Sequence, residues 1–224
     1  MTPEQLAGKT TSHLKPLFVG AKEFLVHPNV HQDLLALRQA ALDAGFNFHI
    51  ASGFRDFARQ QVIWNNKMKG SSAILDANSQ PLDYESLSEE EKVFSILRWS
   101  ALPGASRHHW GCEFDVYDRD ALPPDTPLQL EPWEYLEGHQ ADFYQWLHTH
   151  LADFGFFFPY QHDRGGVAIE PWHISHIQTA NLCQQQYNLT QLEEQLQSEA
   201  ILGLPIILAQ LETIYRRYIT NINH

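Results

Sequence analysis

Apolar positions along the chain change their spacing several times, and the changes mark the elements. Between His31 and Ala44, the residues Leu34, Leu35, Leu37, Ala41 and Leu42 share one stripe and Gly45 follows, which predicts a helix with a glycine stop. Phe46, Phe48 and Ile50 then alternate with Asn47, His49 and Ala51, predicting a strand over 46–51. Ser52-Gly53-Phe54-Arg55 turns out of that strand, and Asp56 caps a second helix to about Lys69. A surface loop is expected over 71–81. Ser88-Glu89-Glu90-Glu91 carries the cap and acidic first turn of a short helix, and Leu102-Pro103-Gly104 breaks the chain after it.

The period returns to two over Cys112–Asp118. Cys112, Phe114 and Val116 share one face, and Glu113, Asp115 and Tyr117 the other. The apolar face is expected on the core, which points Asp115 into whatever cleft the sheet lines. Four prolines between Asp120 and Pro132 indicate an irregular crossing. Beyond it the pattern predicts a helix from Trp133 or Gly138 to Phe154, an aromatic strand over 155–160, a turn at 162–166 and a short strand over 167–170. Two helices, over 177–198 and 204–221, are expected to hinge at Gly203-Leu204-Pro205. Strands and helices segregate without a repeating strand–helix–strand rhythm, so the expected class is α+β.

Composition narrows the partners. A chain of 224 residues with 43% hydrophobic content can bury a full core, and one domain over 1–224 is expected. A formal net charge of −12, with scattered Lys and Arg, argues against nucleic acid and anionic membrane as partners. No run of about eighteen apolar residues suggests a membrane span. Residues 1–20 carry Glu4, Lys9, His13 and Lys15 without the apolar block of a secretory signal, so a cytoplasmic location is expected, with periplasmic or lysis-released action as the alternative. The two cysteines, Cys112 and Cys183, fit a reduced compartment, and Cys112 reads as a small buried strand residue.

Two segments carry chemistry. Ser106-Arg107-His108-His109-Trp110-Gly111-Cys112-Glu113-Phe114-Asp115 offers a histidine and an aspartate seven positions apart, and Glu170-Pro171-Trp172-His173 offers a histidine three positions after a glutamate. Together they supply two imidazoles, a carboxylate and a spare carboxylate, the set a catalytic Zn²⁺ needs if its fourth position is to stay open for water. His108, Asp115 and His173 are therefore the expected ligands and Glu170 the expected base. Gly111 lets the backbone bend between His108 and Asp115, and Pro171 forbids a regular helix through Glu170 and His173, so a turn is expected there. Arg55, at a strand end, is the candidate cation for developing negative charge. His109, His162 and His176 read as surface positions or neighbours of the ligands. Glu113 reads either as a neighbour of the ligands or substrate, or as a solvated strand residue.

The upstream Ser-Gly-aromatic-Arg element, the Ser-x-His-x-x-Gly-x-x-x-Asp element and the Glu-x-Trp-His element, all three in family order across about 46–176, resemble the LAS metallopeptidases, specifically the VanY-type D-alanyl-D-alanine carboxypeptidases. The resemblance implies a small antiparallel sheet flanked by helices, with a C-terminal helical extension at about 178–222 outside the motif core. It implies zinc on His108, Asp115 and His173, catalysis by Glu170 and Arg55, and substrate contacts from Ser52, Gln60 and Ser106. The implied substrate is a peptidoglycan stem peptide or muropeptide cut at its terminal D-Ala-D-Ala. A dipeptidase or endopeptidase with the same zinc, and a non-catalytic zinc-binding module like the hedgehog relatives of the fold, are the alternatives. Glu113 departs from the family, which often has Ala there.

Overall fold

A computed structural model describes residues 1–223. The chain opens with the short helix α1 (Pro3–Leu6) and a hairpin, β1 (Lys15–Val19) and β2 (Lys22–Val26), joined through Gly20 and Ala21. Helix α2 (His31–Asp43) follows, burying Leu34, Leu37 and Ala41 as the apolar stripe requires. The chain leaves α2 through Gly45, whose φ of 93° is left-handed, and Phe46 N–H still bonds the carbonyl of Ala41. That exit delays the next strand, β3, to Phe48–Ser52 rather than 46–51.

Asp56 caps α3 (Phe57–Met68) by accepting from Arg59 N–H, and Ser88 forms a capping box with Glu91 at the start of α4 (Glu89–Leu97). After the Pro103-Gly104 break, a 3₁₀ turn over Arg107–Trp110 ends at Gly111. Gly111 has φ 68°, a left-handed backbone that strains any L side chain, and a Cβ there would also press on the Leu14 side chain. Strand β4 (Glu113–Asp118) runs next. The helix expected over 133–154 is split at Gly138 into α5 (Pro132–Leu136) and α6 (Ala141–His150), with a 3₁₀ turn over Leu151–Phe154.

The aromatic strand is only two residues long, β5 (Phe156–Phe157), since Pro159 has no N–H to extend a ladder. The strand expected at 167–170 is irregular. The strand instead is β6 (His173–His176), entered through a turn in which His173 N–H bonds the carbonyl of Glu170. Beyond it, the expected helical pair is four shorter helices: α7 (Ile177–Gln186), α8 (Leu189–Gln197), α9 (Leu204–Ala209) and α10 (Leu211–Ile214). Asn188 breaks the first of them by capping α8, and Gly203, at φ 76°, precedes α9.

The main sheet is antiparallel with strand order β3-β4-β6-β5, packed among helices, which makes the fold α+β. Its register sets up the site. Asp115 lies opposite His173 and, across a bulge in β3, opposite Ser52, while Glu113 lies opposite Ser175. One face of β4 and β6 thus gathers Glu113, Asp115, His173 and Ser175. The other face sends Phe114, Val116 and Ile174, all fully buried, into a core that also takes in Phe48, Ile50 and Phe156. Among the described residues no helix is long and apolar enough to cross a membrane.

Candidate metal centre

The sheet and the 3₁₀ turn bring the three expected ligands together. His108, Asp115 and His173 each offer one donor atom, these atoms lie within 4.8 Å of one another, and all three residues are buried. His108 Nε2 stands 3.5 Å from Asp115 Oδ2, and His173 Nδ1 stands 3.4 Å from Asp115 Oδ1. Asp115 Oδ1 is buried without a hydrogen-bond partner, which is how a carboxylate oxygen would sit if it were meant for a cation. Two imidazoles and a carboxylate are a donor set that suits zinc.

Each imidazole is turned by a bond on its far side. His108 Nδ1 donates to the carbonyl of Gly53 at 2.9 Å, leaving the Nε2 lone pair facing Asp115. His173 Nε2 is 2.8 Å from Glu113 Oε2, and because a carboxylate can only accept, the proton lies on Nε2 and Nδ1 faces Asp115 and Glu170. Glu170 Oε2 is 3.1 Å from His173 Nδ1, and its side chain keeps some exposure to the cavity. The ring of Tyr160 closes edge-on over His173, 5.2 Å between centroids.

Glu113 is fully buried, which excludes the solvated reading. It takes Arg107 Nη2 at 2.8 Å and Ser175 Oγ at 2.7 Å on one oxygen and His173 on the other. Arg107, which sequence reasoning passed over, is itself buried, lies over the Trp110 ring and donates to Ser175 as well. Its position inside the Ser-x-His motif was the available signal. The face alternation of β4 places Glu113 beside Asp115, but only the three-dimensional turn supplies the arginine that covers it.

Electrostatics favour a cation at this spot. Burial alone would depress the His173 imidazolium, yet hydrogen bonds to Glu113 and Glu170 and the charge of Asp115 outweigh it and hold its pKa up to about 10. The same converging carboxylates would welcome a divalent ion. At His108 burial wins and the pKa falls, aided by the nearby Arg55 charge and opposed by Asp115. Burial raises the carboxyl pKa of Asp115, but His108, His173 and Arg55 outweigh it; at Glu113 the corresponding balance is struck by Arg107, His173 and Ser175. Both carboxyls therefore end below their ordinary values.

Arg55 lies at the rim of this cluster, Nη2 4.0 Å from Asp115 Oδ2. Ser52 Oγ accepts from Nη2 at 3.0 Å and Gln60 Oε1 from Nη1 at 2.9 Å, so these two residues hold the guanidinium. Gln60 is fully buried and its Nε2 donates to the Ala101 carbonyl; neither it nor Ser52 lines the cavity that the three expected ligands face. Ser106 does line that cavity. His109 is buried, donating from Nδ1 to the carbonyl of Arg55 at 2.6 Å and accepting from Gly104 N–H, and burial drives its pKa down to about 3. His176 is no surface residue: it is buried, caps α7 through Thr179 and pairs with Asp33 at 2.9 Å. His162 is exposed as expected.

The cluster opens into a cavity of about 260 Å³ that contains Arg55, Ser106, His108, Asp115, Glu170 and His173 along its wall. Three donors facing a cavity, with the Glu170 carboxylate and a fixed guanidinium beside them, make the kind of centre metal-dependent hydrolases use. The profile of the family described as VanY, D-alanyl-D-alanine carboxypeptidase, matches residues 23–179, and the chain belongs to this family. Two uncharacterized proteins of Haemophilus influenzae are similar in sequence. One is 40% identical over 121 residues, 53% of this chain and 92% of that one; the other is 45% identical over 104 residues, 46% and 70%.

Among solved structures, VanYB in complex with D-alanine-D-alanine superposes with a TM-score of 0.52 at 23% identity, covering 84% of this chain and 89% of that one. A Zn(II) complex of the D,D-pentapeptidase VanY from a VanB-type vancomycin resistance cassette gives 0.51 at 20% identity, covering 82% and 92%. The LD-carboxypeptidase LdcB also gives 0.51 at 20%, covering 82% and 78%. These likenesses establish the fold that the LAS resemblance implied.

Proposed function

We propose that this protein is a zinc-dependent carboxypeptidase that hydrolyses the terminal D-Ala-D-Ala bond of peptidoglycan stem peptides. The observation that carries the reading is the convergence of His108, Asp115 and His173 on one cavity, with Glu170 3.1 Å from His173 Nδ1. His108 Nε2, an Asp115 oxygen and His173 Nδ1 would hold the metal. Zinc, when bound, acidifies a water and polarises the scissile carbonyl.

The chain's own groups do the rest. Glu170 takes the proton from the attacking water and passes it to the leaving amine. Arg55, fixed by Ser52 and Gln60, faces the carbonyl oxygen as negative charge develops there, and its planar fork is set before the reaction begins. Glu113 holds the His173 ring so that Nδ1, and not Nε2, is the donor. Tyr160 shields His173 from bulk water. Membership of the family and the printed ligand of VanYB, D-alanine-D-alanine, support the substrate class.

The test is to load purified protein with zinc and compare it with Glu170→Gln on a D-Ala-D-Ala-terminated stem peptide. The variant should bind one zinc per chain, as the parent does, and lose about 10²–10⁴-fold in turnover. Undiminished turnover would remove Glu170 from the role of base.

A further inference from the structure

The family match ends at residue 179, yet two residues far beyond it, Tyr218 and Ile219, line the cavity that holds the metal-site residues. We infer that this C-terminal segment is the end-wall of the substrate groove, with Tyr218 as the residue that limits how much peptide extends beyond the scissile bond. The inference rests on the proposed peptide hydrolysis and concerns which peptides fit.

The wall is built locally. After α10 the chain makes a π-helical turn over Tyr215–Ile219, closed by Thr220 N–H on the carbonyl of Tyr215 at 3.0 Å. Such turns are rare and are frequently found at functional sites. Here the turn puts Tyr218 and Ile219, both nearly buried, against the cavity. The segment is pinned at both ends. Tyr215 Oη donates to the Tyr187 carbonyl at 2.9 Å. Asn221 exchanges two bonds with Arg164, and Asn223 N–H bonds the Pro159 carbonyl while its side chain accepts from His162 N–H. These anchors grip the loop that leads to Glu170, whose own N–H bonds the carbonyl of Tyr160.

Tyr218 is also a partition. With Leu75 it lines a second, larger cavity of about 920 Å³ on its other side. At about 260 Å³ the metal-site cavity falls below the roughly 300–1,000 Å³ range of pockets for drug-sized ligands, so it holds a short peptide end and not a strand running through. The cavity shares a different set of lining residues, Trp99, Gln129 and Glu131, with a third cavity of about 490 Å³, which offers the rest of the peptide a way out.

Charge assigns the direction. Lys67 lines the metal-site cavity, and its Nζ donates at 3.2 Å to the carbonyl of Ala73, two residues before Leu75. Among the described residues no carboxylate pairs with it. A free C-terminal carboxylate therefore belongs at the end bounded by Leu75 and Tyr218, and the stem leaves past Trp99 and Glu131. A residue added after the terminal D-alanine needs roughly 3.3–3.6 Å more room and meets the tyrosine ring.

The experiment is a peptide ladder: a stem pentapeptide ending in D-Ala-D-Ala, and the same peptide with one or two glycines added at its C-terminus. Turnover is read by mass spectrometry with zinc-loaded protein, and binding by tryptophan fluorescence in the Glu170→Gln background. The parent should prefer the unextended peptide by roughly tenfold or more in both readouts. Tyr218→Ala should erase that preference by admitting the extended peptides, and Tyr218→Phe, which keeps the ring, should retain it. Ile219→Ala serves as the second wall variant if Tyr218→Ala does not fold. Extended peptides processed by the parent as readily as the pentapeptide, or a preference unchanged in Tyr218→Ala, would overturn the wall while leaving the hydrolysis intact. A protein that neither binds nor cuts the unextended peptide would overturn both.

Discussion

Glu113→Gln isolates the buried carboxylate that turns His173 toward the metal position. The substitution keeps the side chain's volume but replaces an acceptor-only group by one with an oxygen and an NH₂. Three donors converge on Glu113: Arg107 Nη2 at 2.8 Å, Ser175 Oγ at 2.7 Å and His173 Nε2 at 2.8 Å. Whichever way the amide is flipped, its NH₂ meets a donor. The guanidinium of Arg107, also buried, loses its counter-charge, and breaking a buried pair in this way costs about 3–5 kcal/mol. Against a typical total of about 5–15 kcal/mol the protein should still fold, with a clearly lower urea midpoint.

The metal effect is separate. Loss of a carboxylate behind a ligating histidine typically weakens metal affinity about 10–100-fold. Competition with a chromophoric chelator measures it. The double variant Arg107→Met/Glu113→Leu removes both charges together, so it should recover much of the stability while zinc affinity stays low. A folded Glu113→Gln protein with parental stability and parental zinc affinity would refute the reasoning.

Three further outcomes are expected. His173→Ala should leave the protein with less than one bound zinc per chain by elemental analysis, and full occupancy would mean the donor set is wrong. Arg55→Ala should depress kcat more than it raises KM, whereas the reverse pattern would make Arg55 a ground-state binder. His13, whose Nε2 donates to the carbonyl of His109 at 3.2 Å, is lowered to about 4, chiefly by burial, and His109 to about 3, so both are neutral in the folded protein and take up protons on unfolding below about 6.5. Their contribution is therefore complete above about pH 6.5 and is lost as the pH falls toward 4. Urea unfolding from pH 7 to pH 5 should show this decline, and His13→Gln should flatten it; an unchanged slope would count against the assignment.

The residues that carry the site could be read from the chain because local rules govern them. Gly111 needs a left-handed backbone, Pro171 excludes a helix, and a period of two puts Asp115 opposite the face of Phe114. The arrangement around them depends on long-range pairing that spacing cannot show. Ser52 and Gln60 sit at motif positions, yet only the meeting of β3 with α3 reveals that they clamp Arg55. Glu113 was ambiguous because its partner Arg107 comes from a turn, outside any periodic pattern. The hairpin over residues 15–26 escaped notice since its strands are mostly exposed, with Phe18 63% accessible, so no clean burial alternation marks it. The strand expected at 167–170 is displaced to His173–His176 because Pro171 cannot donate to a ladder and the chain turns first.

The most direct test of the central reading is mass-spectrometric analysis of products from zinc-loaded protein incubated with a stem pentapeptide ending in D-Ala-D-Ala, with Glu170→Gln as the blank. Loss of a single terminal alanine in the parent and not in the blank is the predicted result. An intact pentapeptide despite one bound zinc per chain would contradict it.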